Sequence, residues 1–170
     1  MMALYLFANG PMPTTAAQAV VTTGTAIKTL LQVKPSATIA IKIVEWGISF
    51  DGSAAATPIK CELLETDVAA TVTAAVANDL TKYDADAIAG GDQTTNLIQV
   101  GTTSTGYTAT AEGTITAVRM FDVQLIAPTN QYVKQFPLGR EPIIQVSKFA
   151  RIRVTAGAAV NAYAYVLLLV

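Results

Sequence analysis

Apolar and polar side chains alternate along most of the chain, which is the spacing of a β-strand with one buried face. The clearest example is residues 38–50, where the apolar positions are odd up to Ile43 and even from Val44 onward. A shift of one residue turns every later side chain to the opposite face of the strand. We therefore expect a β-bulge or a sharp bend between Ile43 and Val44.

Further strands are predicted wherever β-branched and aromatic residues alternate between turns rich in Gly and Pro. Residues 68–76 are ambiguous, because their alanines allow a short helix while their threonines and valines favour a strand. In the long strand 114–126, Phe121, Val123 and Leu125 fall on one side. Arg119 interrupts that side, so we expect it at a rim, a partner contact or a strand crossing. The other predicted strands are 2–7, 58–64, 96–100, 132–136, 143–146, 150–154 and 160–170.

Many short strands without the spacing of βαβ units indicate an all-β protein. We expect a single antiparallel β-sandwich, jelly-roll-like, with at most a short helix near 68–82. Residues 1–13 form an N-terminal strand or arm, and residues 14–170 form the sandwich domain. The arm either adds a strand to a neighbouring molecule or lies in the sheet of its own chain.

The composition adds an expectation about the surface. The chain has 170 residues, of which 52% are hydrophobic and only 14% are charged, with 11 basic and 12 acidic side chains. Globular domains usually carry about 25% charged residues, so the shortage of charge must appear on the outside. We therefore expect an assembled protein. The absence of a basic excess argues against nucleic-acid binding, and no apolar run reaches the roughly 20 residues of a membrane helix. The N-terminus also lacks the basic and apolar regions of a signal peptide.

Candidate catalytic and metal-binding residues are few. The sequence contains no histidine, which removes the usual general base and the commonest zinc ligand. Cys61 lies on the apolar side of a predicted strand, where a thiol is normally a small buried hydrophobe. Asp84, Asp86 and Asp92 resemble the start of a calcium loop, but Ile88 and the missing final Glu break that pattern. We expect no enzyme activity, no cofactor and no metal site.

Candidate subunit-interface residues lie in three segments. The final strand is apolar on both faces, so it is central and covered, or it lies against another subunit. Two arginines on one face of 150–154 form either the exposed side of an edge strand or salt bridges to a neighbour. The candidates are Leu4, Tyr5, Leu6, Phe7, Arg151, Arg153, Tyr163, Tyr165, Leu167 and Leu169.

Four stretches carry a resemblance to a known class of proteins: IVEWGISFDG at 43–52, PIKCEL at 58–63, QFPLGREP at 135–142 and RIRVTAG at 151–157. In pattern, over most of the chain, they resemble structural proteins of tailed bacteriophages, especially small jelly-roll decoration or cement proteins. The resemblance implies a non-enzymatic subunit, made in the bacterial cytoplasm, that sits on the outer surface of the virion. It also implies two partners, further copies of the chain (often trimers) and the phage major capsid protein.

Two other functions remain open from the sequence. One is another phage structural part, such as a head fibre, a tail component or a receptor-binding tip. The other is a carbohydrate-binding jelly-roll module, in which Trp46 or the tyrosines stack on sugar rings. Alternation places Trp46 with the core residues of its strand, which favours a phage structural protein over a carbohydrate-binding module.

Overall fold

The computed structural model describes residues 3–53, 57–83 and 97–170. Within them the chain forms two antiparallel sheets packed face to face, which confirms the expected all-β sandwich. The only helical element there is a 3₁₀ turn at Ala77–Asp79, inside the region where a short helix was expected. The strands are β1 Leu4–Ala8, β2 Val21–Thr22, β3 Ile27–Pro35, β4 Ile41–Asp51, β5 Ile59–Thr66, β6 Thr71–Ala74, β7 Leu80–Lys82, β8 Ile98–Gln99, β9 Gly106–Ala111, β10 Val118–Ile126, β11 Gln131–Gln135, β12 Ile143–Ile144, β13 Phe149–Thr155 and β14 Asn161–Leu169.

The first sheet, called sheet A, has the strand order β11-β4-β14-β1-β7, with β12 beside β4 and β2 beside β14. The second, sheet B, has the order β10-β5-β13-β3-β9-β6, with β8 beside β3. The core lies between them, where alternate side chains of both sheets are fully buried. Trp46 of β4 and Tyr5 of β1 are among its largest members.

The predicted irregularity in β4 is confirmed. Leu167 of β14 lies opposite Glu45, whereas the next residue, Leu168, lies opposite Ile43. Val44 is therefore the extra residue of a β-bulge, which keeps Ile43 and Trp46 on the same buried face despite their odd and even numbers.

A second bulge overturns the expectation for the 114–126 strand. In β10, Met120 lies opposite Leu64 and Asp122 lies opposite Leu63, so Phe121 is the extra residue. Phe121 packs against the core, but Val123 and Leu125 are exposed, 40% and 72% respectively. The three side chains do not share a side, because the bulge reverses the alternation.

The pattern did not predict β3, a central strand of sheet B. Its residues Thr29 to Val33 are all buried, so its two faces do not alternate between core and water. Segments outside the sandwich cover the outer face of this strand, and the polar side chains there are hydrogen-bonded to them. The ambiguous stretch 68–76 contains the short strand β6.

Both terminal strands lie inside sheet A. β1 pairs with β14 on one side and with β7 on the other, so residues 4–8 are a strand of their own chain's sheet. β14 lies between β4 and β1, the central position that was one of the two expected for it. Across the described ranges, no helix has the length and apolar character needed to cross a bilayer.

The close approach of β9 to β6 generates a prediction about stability. A Cβ atom at Gly106 would collide with the carbonyl oxygen of Thr73, and backbone cannot move aside as a flexible side chain can. We expect Gly106→Ala to lower the free energy of unfolding by about 1–3 kcal/mol, measured by urea denaturation. Gly157→Ala is the matched control, because its Cβ would meet nothing within 4 Å. Equal unfolding midpoints for the two variants would contradict this account of sheet B.

Candidate functional site

Among the described residues, the carboxylates and Cys61 are the candidate metal-binding and nucleophilic groups. No group of three or more Cys, Asp or Glu side chains there is placed to hold a metal ion. The thiol of Cys61 is fully buried, and burial raises its pKa to about 12, so it is protonated and unreactive near neutral pH. Asp84, Asp86 and Asp92 lie outside the described residues.

Surface depressions in the described part of the chain are shallow. Four of them have volumes between about 180 and 310 Å³, at or below the lower end of the range for small-molecule sites. Trp46 lines none of these four, because its ring is buried against Tyr132 with 5.4 Å between ring centroids. A buried indole cannot stack on a sugar, so Trp46 is not a carbohydrate platform.

The two interface arginines are not on an edge strand, because β13 lies between β5 and β3. The side chain of Arg151 is fully buried under the segment that follows β9. It lies 3.3 Å from the Glu112 carboxylate and also donates to the carbonyl oxygens of Glu112 and Val68. Burial lowers the pKa of Arg151, while the Glu112 charge opposes that change. Its guanidinium is thus committed to its own chain.

Arg153 is also paired within the chain. Its Nε donates to Glu62 of β5 at 2.8 Å, and both side chains are mostly covered. The salt bridges that were one possibility for these arginines therefore exist, but they join neighbouring parts of one subunit.

The terminal interface candidates divide by face. Tyr5 and Phe7 are buried in the core, so their side chains present no surface to a neighbour. The other six candidates lie on the outer face of sheet A and are half-buried: Leu4, Leu6, Tyr163, Tyr165, Leu167 and Leu169. Leu4 lies opposite Leu169, and Leu6 lies opposite Leu167, which joins the leucines into one apolar strip.

Tyr165 covers part of this outer face. It lies opposite Gly47, where the missing side chain leaves room for the tyrosine ring. The Tyr165 hydroxyl donates to Glu45 at 2.6 Å. Burial, this hydrogen bond and the Glu45 charge together raise the pKa of Tyr165. The arrangement places the ring over Gly47 and covers part of the outer face of sheet A.

Seven of the twelve exposed large hydrophobic side chains among the described residues lie on or between β10, β11 and β12. Val123 and Leu125 face outward from sheet B, whereas Val133 and Ile143 face outward from sheet A. Here β10 ends sheet B, and β11 and β12 lie at the same side of sheet A. Hydrogen bonds tie the two sheet edges together, among them the one from Arg119 to the Ile143 carbonyl oxygen at 2.7 Å. We call the exposed set the edge patch: Val118, Met120, Val123, Leu125, Val133, Leu138 and Ile143.

The edge patch was not predicted from the sequence. Val123 and Leu125 were expected to share the side of Phe121, and Leu138 lies outside the predicted strands. A signal was nevertheless present, since β10 carries apolar residues at both odd and even positions. A strand with one buried face cannot bury both sets.

The two charged side chains of β10, Arg119 and Asp122, are neutralised by the chain itself. Arg119 forms a two-contact ion pair with the buried Glu65, at 2.7 and 2.6 Å. The carboxylate of Asp122 accepts hydrogen bonds from Trp46, Tyr132 and Gln124, and Lys134 lies 3.3 Å away. Burial tends to raise the pKa of Asp122, but these contacts outweigh it and lower that pKa. The aspartate is therefore charged and satisfied at neutral pH.

Comparison with known proteins gives no relative from which a site could be transferred. No family model matches the chain, and no curated protein or solved structure matches it either.

The burial of Cys61 generates a prediction that thiol chemistry can check. It is the only cysteine in the chain, so labelling reports on one site. We expect native protein at pH 8 to react with a thiol reagent orders of magnitude more slowly than urea-unfolded protein, because attack requires an accessible thiolate. Release of the reagent's chromophore measures the rate. Rapid stoichiometric labelling of folded chains would contradict the burial of this thiol.

The Arg151–Glu112 pair generates a second prediction. Glu112 also accepts hydrogen bonds from the backbone N–H and the hydroxyl of Thr29, both at 2.6 Å. Glu112→Ala leaves a buried guanidinium without its carboxylate, so we expect a loss of at least about 2 kcal/mol in unfolding free energy. Glu62→Ala is the matched control, and it should cost less than about 1 kcal/mol because Arg153 is partly exposed. Equal losses of unfolding free energy for the two variants, measured by chemical denaturation, would show that burial of Arg151 does not make its ion pair more important for stability.

Proposed function

We propose that this protein is a structural component of a bacteriophage virion, a decoration or cement protein that binds the outer capsid surface and stabilises contacts between major capsid protein subunits. The observation that carries the proposal is the edge patch, which holds seven of the twelve exposed large hydrophobic side chains of the described residues at one side of the sandwich. Isolated exposed hydrophobics are common, but a concentration of them is typical of protein–protein contact.

The distribution of charge supports a permanent contact. The two charged side chains of β10, Arg119 and Asp122, are paired within the chain, so a partner at this strand need not remove an unpaired β10 charge from water. Interfaces of permanent complexes are more apolar than those of transient ones, because their surfaces never need to face solvent alone. A sandwich tied across its edge by Arg119 and Asp122 also keeps its shape on binding, which limits the entropy lost.

The jelly-roll character and the capsid partner come from the resemblance of the sequence to phage decoration proteins. The sandwich architecture is compatible with that resemblance. Among the alternatives, a sugar-binding module relying on Trp46 loses its main support, because that ring is buried.

The proposal predicts that the protein protects capsids. Purified chain is added to undecorated heads of the phage that encodes it, and the temperature of DNA release is measured with a dye. We expect saturable binding and a higher release temperature, because added contact area across capsomer boundaries opposes their separation. Failure to bind, or binding with no rise in release temperature, would contradict a cement role.

A matched pair of variants locates the contact. Leu138 is 90% exposed within the edge patch, whereas Val76 is 60% exposed near the opposite edge of sheet A. We expect Leu138→Lys to weaken capsid binding about tenfold or more, while Val76→Lys binds like wild type. The reverse pattern would place the contact away from the edge patch.

A further inference from the structure

The free edge of β10 differs from the other edges of the two sheets. β10 has nine residues, whereas the remaining end strands β6, β7 and β11 have four, three and five. On one side β10 pairs with β5, and no described residue pairs with it on the other. Alternate residues of an antiparallel strand direct their N–H and C=O groups to opposite sides, so about half of these groups face the open edge.

Long edge strands usually carry a device that prevents pairing with another chain, such as an unpaired lysine or a bulge. The two charged residues of β10, Arg119 and Asp122, are both engaged by their own chain. The bulge at Phe121 interrupts only the first part of the strand. The segment Asp122–Ile126 beyond it remains regular, since its residues pair one to one with β5.

We propose that the segment Asp122–Ile126 pairs antiparallel with the same segment of a second copy, about a two-fold axis at Gln124. In this register Val123 of each chain faces Leu125 of the other. Asp122 faces Ile126, so no two like charges are opposed. Both Val123 and Leu125 are exposed on the same outward side, because their β5 partners Glu62 and Lys60 point away from the core.

The segment Asp122–Ile126 is complementary to itself, which identifies a second copy of the chain as the partner. A two-fold contact uses the same segment twice, so the segment must carry apolar groups at positions symmetric about its centre. Val123 and Leu125 satisfy that condition around Gln124. Cross-strand apolar pairs of this kind stabilise a sheet, and the new main-chain hydrogen bonds would satisfy the open edge. This pairing is two-fold and thus differs from the trimer implied by the resemblance to phage proteins.

The first test measures the mass of the free protein in solution, without capsids, so it is independent of the proposed capsid role. Sedimentation and light scattering over a concentration series should show a dimer that dissociates in the micromolar range, as a small interface allows. Leu125→Lys should raise the dissociation constant at least tenfold, because two lysines enter the contact. Val76→Lys is the control and should leave it unchanged. A wild-type monomer at about 100 µM, a trimer, or a dimer indifferent to Leu125→Lys would overturn the proposal.

The second test checks the register. Val123→Cys and Leu125→Cys proteins are oxidised separately and as an equal mixture. Opposed residues in an antiparallel pair have Cα atoms about 4.5–5.5 Å apart, within disulfide reach, whereas two copies of residue 123 lie about two residues apart along the strand. The mixture should therefore form a covalent dimer and the separate proteins should not. Wild type controls for Cys61. Equal cross-linking in all three samples, or none in the mixture, would overturn the register.

Discussion

The strict two-residue period of a β-strand is the constraint on which this structure depends. Because alternate side chains face opposite sides of a sheet, one inserted residue exchanges the buried set with the exposed set. In the described part of the chain, three strands carry a single inserted residue. Val44 is inserted in β4, Phe121 in β10 and Leu30 in β3, where Arg153 lies opposite Thr29 and Ile152 opposite Leu31. In β3 and β4 the bulge keeps apolar residues in the core, whereas in β10 it directs Val123 and Leu125 outward.

The second organising feature is the pairing of buried charge within the chain. Arg151 and Glu112 fasten the segment after β9 onto the outer face of sheet B. Gln32 holds the segments before β6 and before β9 on that face, by donating to the carbonyl oxygens of Ala70 and Ser104. Glu65 fastens sheet B to Gln145, the residue after β12, and Asp122 fastens it to Tyr132 of β11 in sheet A. A chain with few charged residues has used several of them internally, so its shortage of surface charge is greater than the composition alone indicates.

Sequence reasoning predicted most of the strands, and the bulge in β4, because these follow from local alternation. It missed β3, because coverage of that strand on both faces comes from segments distant in the chain, and no local pattern records them.

It placed Tyr5 and Phe7 among interface candidates, since a terminal apolar strand gives no indication of which face meets the core. Arg151 was expected to serve an edge or a neighbour, because the central position of β13 depends on the strand order. The edge patch was missed for a related reason: it combines residues from β10, β11 and β12, which adjoin only after the sheets have formed.

The structure has two kinds of apolar surface, the outer face of sheet A and the edge patch, which the amino-acid composition alone cannot distinguish. The outer face of sheet A is half-covered, since its leucines pack across β1 and β14 and Tyr165 lies along Gly47 with its hydroxyl held by Glu45. Its backbone groups are satisfied by neighbouring strands, so a partner could gain only side-chain contacts there. The edge patch offers exposed side chains and an open row of backbone groups together. A partner strand at β10 would gain hydrogen bonds and apolar burial at once, and each makes the other more favourable because water leaves both. Association at the β10 edge would therefore bury apolar surface and satisfy main-chain groups together, which the outer face of sheet A does not offer.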